Sequence, residues 1–216
     1  YALYADSPLL YFVDKYKVGG NPERGLITPV IDYEFHRGDY RGELTAIIEK
    51  EISGFDSLRS ETDYQKAKVV YDTISKNSTY DYVKGETNYI DTPTHSIVGY
   101  VRNRTAVCQG FAETYQIIKN YLGVPTITVD GLMFNDDGMQ ECIGRHSRNY
   151  TYNDETQRWM MVDVSLGVST ASDVDFDIQP MKSRFRTLRD KEKIGTERYM
   201  YYPSYDNIWN AFYTWA

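Results

Sequence analysis

The chain has 216 residues, 41% hydrophobic and 25% charged, enough for one well-buried core of an ordinary globular protein. Its 31 acidic against 24 basic residues give a formal charge of −7, which argues against binding nucleic acid through its phosphates. Two cysteines exclude a disulfide scaffold and a four-cysteine zinc site, and no apolar run approaches the ~20 residues of a membrane helix.

The first forty residues, punctuated by Gly19-Gly20-Asn21-Pro22, Gly25, Pro29 and Gly38, predict loop with short extended pieces. A helix is expected over Glu43–Ile52, with Leu44, Ile47, Ile48 and Ile52 on one face and Gly54 ending it. Ser60-Glu61-Thr62-Asp63 resembles a capping box, followed by Tyr64, Ala67, Tyr71 and Ile74 at helical spacing and closed by Asn77-Ser78. Residues 81–100 read as irregular. A second strong helix runs from Cys108 to Leu122 on the stripe Phe111, Tyr115, Ile118 and Leu122, with Gly123 at its C-terminal cap and Pro125 barring continuation.

From Pro125 the period changes. Thr126–Asp130 is rich in β-branched residues, and His146–Tyr152 and Gln157–Ser165 bracket the turn-rich Asn153-Asp154-Glu155-Thr156 as a hairpin. Helices precede strands, which points to an α+β fold. The basic run Lys182–Lys193 reads as a solvated face. The 21 tyrosines suit half-buried strands, and equally a surface that grips polar chains.

Cys108, His146 and Asp163 carry the chemistry. A cysteine at a helix N-terminus meets unpaired backbone N–H groups and the positive end of the helix dipole, both of which favour the nucleophilic thiolate. The bland alternative is a small buried hydrophobe. Gly110 allows close backbone approach behind the thiol. A hairpin loop of Asp154-Glu155, or of Asn153–Thr156, sets His146 directly opposite Asp163 on one sheet face. A carboxylate so placed holds the imidazole in the form that takes the thiol's proton. His36 and His95 have no comparable partners. No His/Cys/Asp/Glu cluster has metal-ligand spacing, so neither metal nor cofactor is expected.

From about Asp63 to Gly167 the chain resembles the transglutaminase-like domain family, in its bacterial type. The matching features are Lys66–Asn77 followed by Tyr80-Asp81, Val107-Cys108-Gln109-Gly110-Phe111-Ala112, Leu122-Gly123-Val124-Pro125 and Val129-Asp130-Gly131. They continue through His146-Ser147-Arg148-Asn149 and Trp159-Met160-Met161-Val162-Asp163. The resemblance implies a papain-like core, with the nucleophile helix packed on an antiparallel sheet that carries histidine and aspartate. It implies attack of the thiol on a carboxamide, a thioester, and its resolution by amine or water. Two features depart from the pattern. Arg148 stands where the family usually has tryptophan, which suggests a different substrate side of the cleft. Cys142 lies four residues before His146, and reads as a buried free thiol rather than a disulfide partner of Cys108.

The expected organisation is an N-terminal extension at 1–60 of loops and a helix packing on the core, a catalytic core at 61–180, and a Tyr/Trp-rich segment at 181–216 completing the same domain. The expected function is a thiol-dependent acyl transferase or amidohydrolase acting on protein or peptide amides. Cys108 is its nucleophile, His146 its base and later acid, and Asp163 the group that orients His146. The alternatives are a cysteine peptidase using the same three residues, and a non-catalytic cell-surface module in which they are vestigial. The partner expected is a protein or peptide substrate, without nucleic acid or membrane insertion; the sequence leaves the oligomeric state open, and favours an extracellular or cell-surface setting over a cytoplasmic one. The chain begins at Tyr1, as a trimmed or mature form does, so the lack of a signal pattern leaves compartment open.

Overall fold

In the computed structural model, residue 9 and residues 13–19, 26–31, 38–82, 93–134, 142–169 and 185–187 are described. Near the N-terminus, β1 (Val13–Gly19) and β2 (Leu26–Ile31) pair antiparallel, a longer extended element than the glycine and proline spacing predicts. Helix α1 spans Gly38–Ser53 and so begins five residues before the expected start. Its Leu44, Ile48 and Ile52 are buried against Ile97, Val98 and Ile117. Ile47, grouped with them from spacing, is instead 45% exposed.

Helix α2 spans Asp63–Lys76. Its cap is Thr62, whose side chain accepts the Gln65 N–H at 3.2 Å, so the capping sequence is Thr62-x-x-Gln65 and not the one beginning at Ser60. Ala67, Val70, Tyr71 and Ile74 enter the main core together with Phe111, Tyr115, Ile118 and Leu122. Strand β3 (Thr79–Tyr80) pairs in parallel with β4 (Thr105–Ala106). Between them stands α3 (Ile97–Asn103), inside a stretch read from sequence as irregular. It is only seven residues long, too short for a periodic signal, and it starts from a Ser96 cap that accepts the Val98 N–H. Arg104, with a left-handed backbone (φ 54°) after α3, returns two 2.6 Å hydrogen bonds to Glu51 of α1.

Helix α4 (Cys108–Tyr121) is the element on which both cores close. It ends as expected. Gly123 (φ 79°) donates to Asn120 and Val124 donates to Lys119, the paired bonds of a glycine-terminated helix. The expected close approach at Gly110 is also present. A Cβ there would lie 2.9 Å from both the Ala106 Cβ and the Ser96 carbonyl, and closer still to the Thr94 carbonyl. Gly110→Ala is therefore expected to lower stability by about 1–3 kcal/mol, read as a drop in urea midpoint without change of slope.

Four antiparallel strands form the sheet in the order β7-β6-β5-β8: β5 is Thr126–Phe134, β6 is Cys142–Asn153, β7 is Arg158–Val162 and β8 is Phe185–Thr187. The hairpin exists, but its register differs from the expected one. Asn153 pairs with Arg158, so the loop is Asp154–Gln157. Gln157 has a left-handed backbone (φ 55°), which takes it out of the strand, and the Asn153 side chain accepts the Thr156 N–H across the turn. His146 and Asp163 are consequently not directly opposite. The ladder's Asn149–Val162 pair, continued by one step, sets Arg148 opposite Asp163 and His146 on the diagonal. The slip is of two positions, so His146 stays on the same sheet face. The second extended segment also stops early, since α5 begins at Val164 and runs to Ser169. Apart from β8, the C-terminal segment from 181, with its basic run, lies outside the described residues.

Two buried ionisable groups on α4 cost stability. Burial raises the Glu113 carboxyl well above its usual range, against a hydrogen bond from Gln109 (2.9 Å) and with the Asp130 charge adding to the rise. Burial also depresses the Lys119 ammonium to about 7, the nearby Lys66 adding to this and Asp63 opposing it. Between pH 7 and the ordinary lysine value the unfolded chain holds a proton at this position that the folded chain does not, so stability rises with pH there. Lys119→Met should remove that rise and stabilise the fold by about 1–2 kcal/mol at neutral pH, measured by urea unfolding across the range.

Candidate active site

Cys108 is the first residue of α4, a free and half-buried thiol. Val107 before it is extended, its N–H bonded to Thr94 O at 2.9 Å, and no side chain caps this helix end. The thiol therefore meets the positive end of the helix dipole.

His146 comes from β6. Its Nε2 lies 2.5 Å from Asp163 Oδ2, which leaves Nδ1 as the ring nitrogen for any other partner. Burial favours the neutral ring, but the Asp163 charge and hydrogen bond, reinforced by the neighbouring Cys108, outweigh it and push His146 up to about 10. Asp163 is the last residue before α5 and is buried. Its Oδ1 accepts both the Ser165 hydroxyl (2.7 Å) and the Leu166 N–H (3.3 Å), so the same carboxylate caps α5 and holds the histidine. Burial alone would raise the Asp163 carboxyl. His146, Ser165 and Arg148 prevail and hold it below the usual carboxylate range.

The structure thus brings Cys108, His146 and Asp163 to one place. It adds residues to which the sequence assigned no role. The Tyr80 phenol lies against Cys108, near enough to both its backbone N–H and its sulfur to be influenced by each; burial first, then the Cys108 charge, raises the phenol. Tyr80 is held there by the parallel β3–β4 pairing, in which Asp81 N–H donates to Ala106 O at 3.0 Å, two residues before the thiol. Its ring also packs near Phe111 and the exposed Tyr82, with centroids 6.3 and 5.1 Å away. Asn149 ties β6 to α4: its amide donates to Ala112 O of the helix (2.9 Å) and to Thr128 Oγ1 (3.1 Å). The signal for both lay in the family pattern, through Tyr80-Asp81 for the first and His146-Ser147-Arg148-Asn149 for the second.

Arg148, the departure expected to alter the substrate side of the cleft, is buried. Its Nη2 donates to Tyr150 Oη at 3.2 Å, and its guanidinium lies 5.5 Å from that ring's centroid. The side chain of Cys142 lies outside the described residues, while Cys108, the disulfide partner considered for it, is a free thiol. Among the described residues no group of three or more His, Cys, Asp or Glu side chains could hold a metal ion, and no helix is long and apolar enough to cross a membrane.

A thiol-bearing helix N-terminus set against an antiparallel sheet that supplies a histidine and a carboxylate defines an α+β, papain-like core. The chain belongs to the transglutaminase-like superfamily, whose family model matches residues 56–164. A solved structure of a TGase superposes with a TM-score of 0.52 at 17% identity, covering 91% of this chain and 58% of that one. A proposed cysteine protease from Cytophaga hutchinsonii (TM-score 0.39, 19% identity, 62% of this chain and 46% of that one) is more distant. So is a proposed protease from Parabacteroides distasonis (0.37, 14%, 70% and 39%). This chain spans less than two thirds of each of these structures, and at such identities the likeness concerns the fold alone. No curated protein matches the chain.

Proposed function

We propose that this protein is a thiol-dependent acyl transferase or amidohydrolase acting on protein or peptide amides, with Cys108, His146 and Asp163 as its catalytic residues. The observation that carries the reading is the 2.5 Å contact between His146 and a carboxylate that also caps α5, with the ring standing beside a thiol at a helix N-terminus. An imidazole so held beside a thiol is placed to take its proton, which makes the sulfur the nucleophile.

The thiolate attacks the amide carbonyl carbon and forms a carbon–sulfur bond as the carbonyl oxygen becomes an oxyanion. The Cys108 backbone N–H is one donor to that oxyanion, and the Tyr80 hydroxyl is the second. The carbon–nitrogen bond then breaks. His146 passes its proton to the departing nitrogen, which leaves as ammonia or amine, and the acyl group remains on sulfur. The neutral imidazole next takes a proton from water or an incoming amine, which attacks the thioester and restores the thiolate and imidazolium. Throughout, Asp163 stabilises the imidazolium and holds the ring's direction.

Mass spectrometry of a glutamine-containing protein incubated with the enzyme and a primary amine tests this. Amine adducts or deamidated glutamines, absent with Cys108→Ser, are expected. Backbone cleavage would select the peptidase alternative, and no Cys108-dependent product of any kind would leave only the vestigial reading.

A further inference from the structure

We propose that Gln109 recognises the nitrogen of the scissile amide. Its carboxamide, held by the buried Glu113 one turn further along α4, presents a carbonyl oxygen beside Cys108 that accepts an N–H of the substrate. The inference rests on the functional reading above and deepens it, since such an acceptor selects amides over esters at the same thiol.

Distinct stripes divide the surface of α4. Phe111, Tyr115 and Ile118 pack in the core shared with α2, and Ile117 in the core shared with α1. Gln109, Ala112, Glu113 and Gln116 recur at helical spacing on the remaining side. There the Asn149 amide of β6 donates to Ala112 O, and also to Ile127 O and Thr128 Oγ1 of β5, so this stripe faces the sheet. The same sheet carries His146, and the stripe begins at the residue after the nucleophile. Gln109 therefore stands, half-buried, in the angle between the thiol-bearing helix end and the strand that supplies the histidine.

A single bond fixes how its carboxamide lies. Gln109 Nε2 donates to Glu113 Oε1 at 2.9 Å. Glu113 is one turn toward the C-terminal end of α4, so the planar amide turns its oxygen the other way, toward the helix start and Cys108. Glu113 is 1% exposed, and its Oε2 has no hydrogen-bond partner among the described residues. A buried carboxyl with one bond made and one oxygen unpaired costs stability. What it secures is the direction of Gln109. An oxygen acceptor beside the thiol meets a donor in the N–H of a carboxamide, and only another acceptor in an ester.

A glutamine-containing peptide and the matching peptide with a γ-glutamyl methyl ester give the same acyl-enzyme and differ only in what departs, ammonia or methanol. The ratio of their kcat/KM values, followed by mass spectrometry of the products, isolates recognition of the departing group. In Gln109→Met, close in shape but without the acceptor, kcat/KM on the amide should fall about tenfold and that on the ester by less than about twofold. Glu113→Met should lower the ratio in the same way, because it releases the carboxamide. Glu113→Gln keeps an oxygen for Gln109 Nε2 and should hold the ratio within about twofold of wild type. A Gln109→Met ratio within about twofold of wild type, whether both rates fall or neither does, overturns the role of Gln109 and leaves the thiol-enzyme reading standing. A Glu113→Gln ratio as low as that of Glu113→Met overturns the hold assigned to Glu113. A wild type that forms no Cys108-dependent product from the amide overturns the functional reading and this one together. Should Glu113→Met fail to fold, the half-buried Gln109→Met decides.

Discussion

Asp163→Asn is expected to reduce turnover by about 10⁴-fold while costing little of the fold, the size of effect produced by the same change in a serine-protease triad. The local hydrogen bonds decide which way the new amide turns. On one side Oδ1 receives the Leu166 N–H, which can only donate, and the Ser165 hydroxyl. On the other stands His146 Nε2. An asparagine keeps its oxygen toward Leu166 and so presents its NH2 to the histidine. That NH2 faces a ring nitrogen which must carry a proton in the imidazolium, and the charged ring is disfavoured. Asparagine is as good a helix cap as aspartate, so unfolding should move by only a few degrees. Steady-state turnover on a glutamine substrate, with thermal unfolding of the same preparation, checks both halves. Turnover within tenfold of wild type would remove Asp163 from the mechanism.

Tyr80→Phe should lower turnover by about 10²–10³-fold, the usual cost of one missing oxyanion donor, while leaving Cys108 readily alkylated. The two measurements separate the roles. Alkylation needs an ionised thiol and builds no tetrahedral oxyanion, whereas amide attack does. If phenylalanine slowed both alike, Tyr80 would act on the thiol itself. If it slowed neither, the second donor would lie elsewhere. The substituted ring keeps the contacts that Tyr80 makes with Phe111 and Tyr82, so packing is not the variable.

Long, strongly patterned elements were legible in the sequence. Helix α4 was placed to within a residue, since Phe111, Tyr115 and Ile118 recur at its period and Gly123 and Pro125 close it. Helix α2 was found by the same means, with its cap two residues off because Ser60 and Thr62 both carry a suitable hydroxyl. Short elements were not legible. Helix α3 and the β3–β4 pair are held by contacts with residues remote in sequence, Arg104 with Glu51 and Thr79 with Arg104 among them.

The sequence by itself determined which residues could do the chemistry, because a thiol at a helix start, a histidine and an acid on neighbouring strands are local patterns with fixed periods. It also determined the sheet face of His146, since the hairpin slipped by an even number of positions and alternation repeats every two. Only the tertiary structure decided what stands opposite what. A left-handed Gln157 and the turn at Asn153 moved the register, so that His146 reaches Asp163 across a diagonal and not from directly opposite. The place of Tyr80 beside Cys108 was decided by a parallel pairing of strands with α3 between them. Such pairings join positions far apart in the chain, and no local pattern carries their distance.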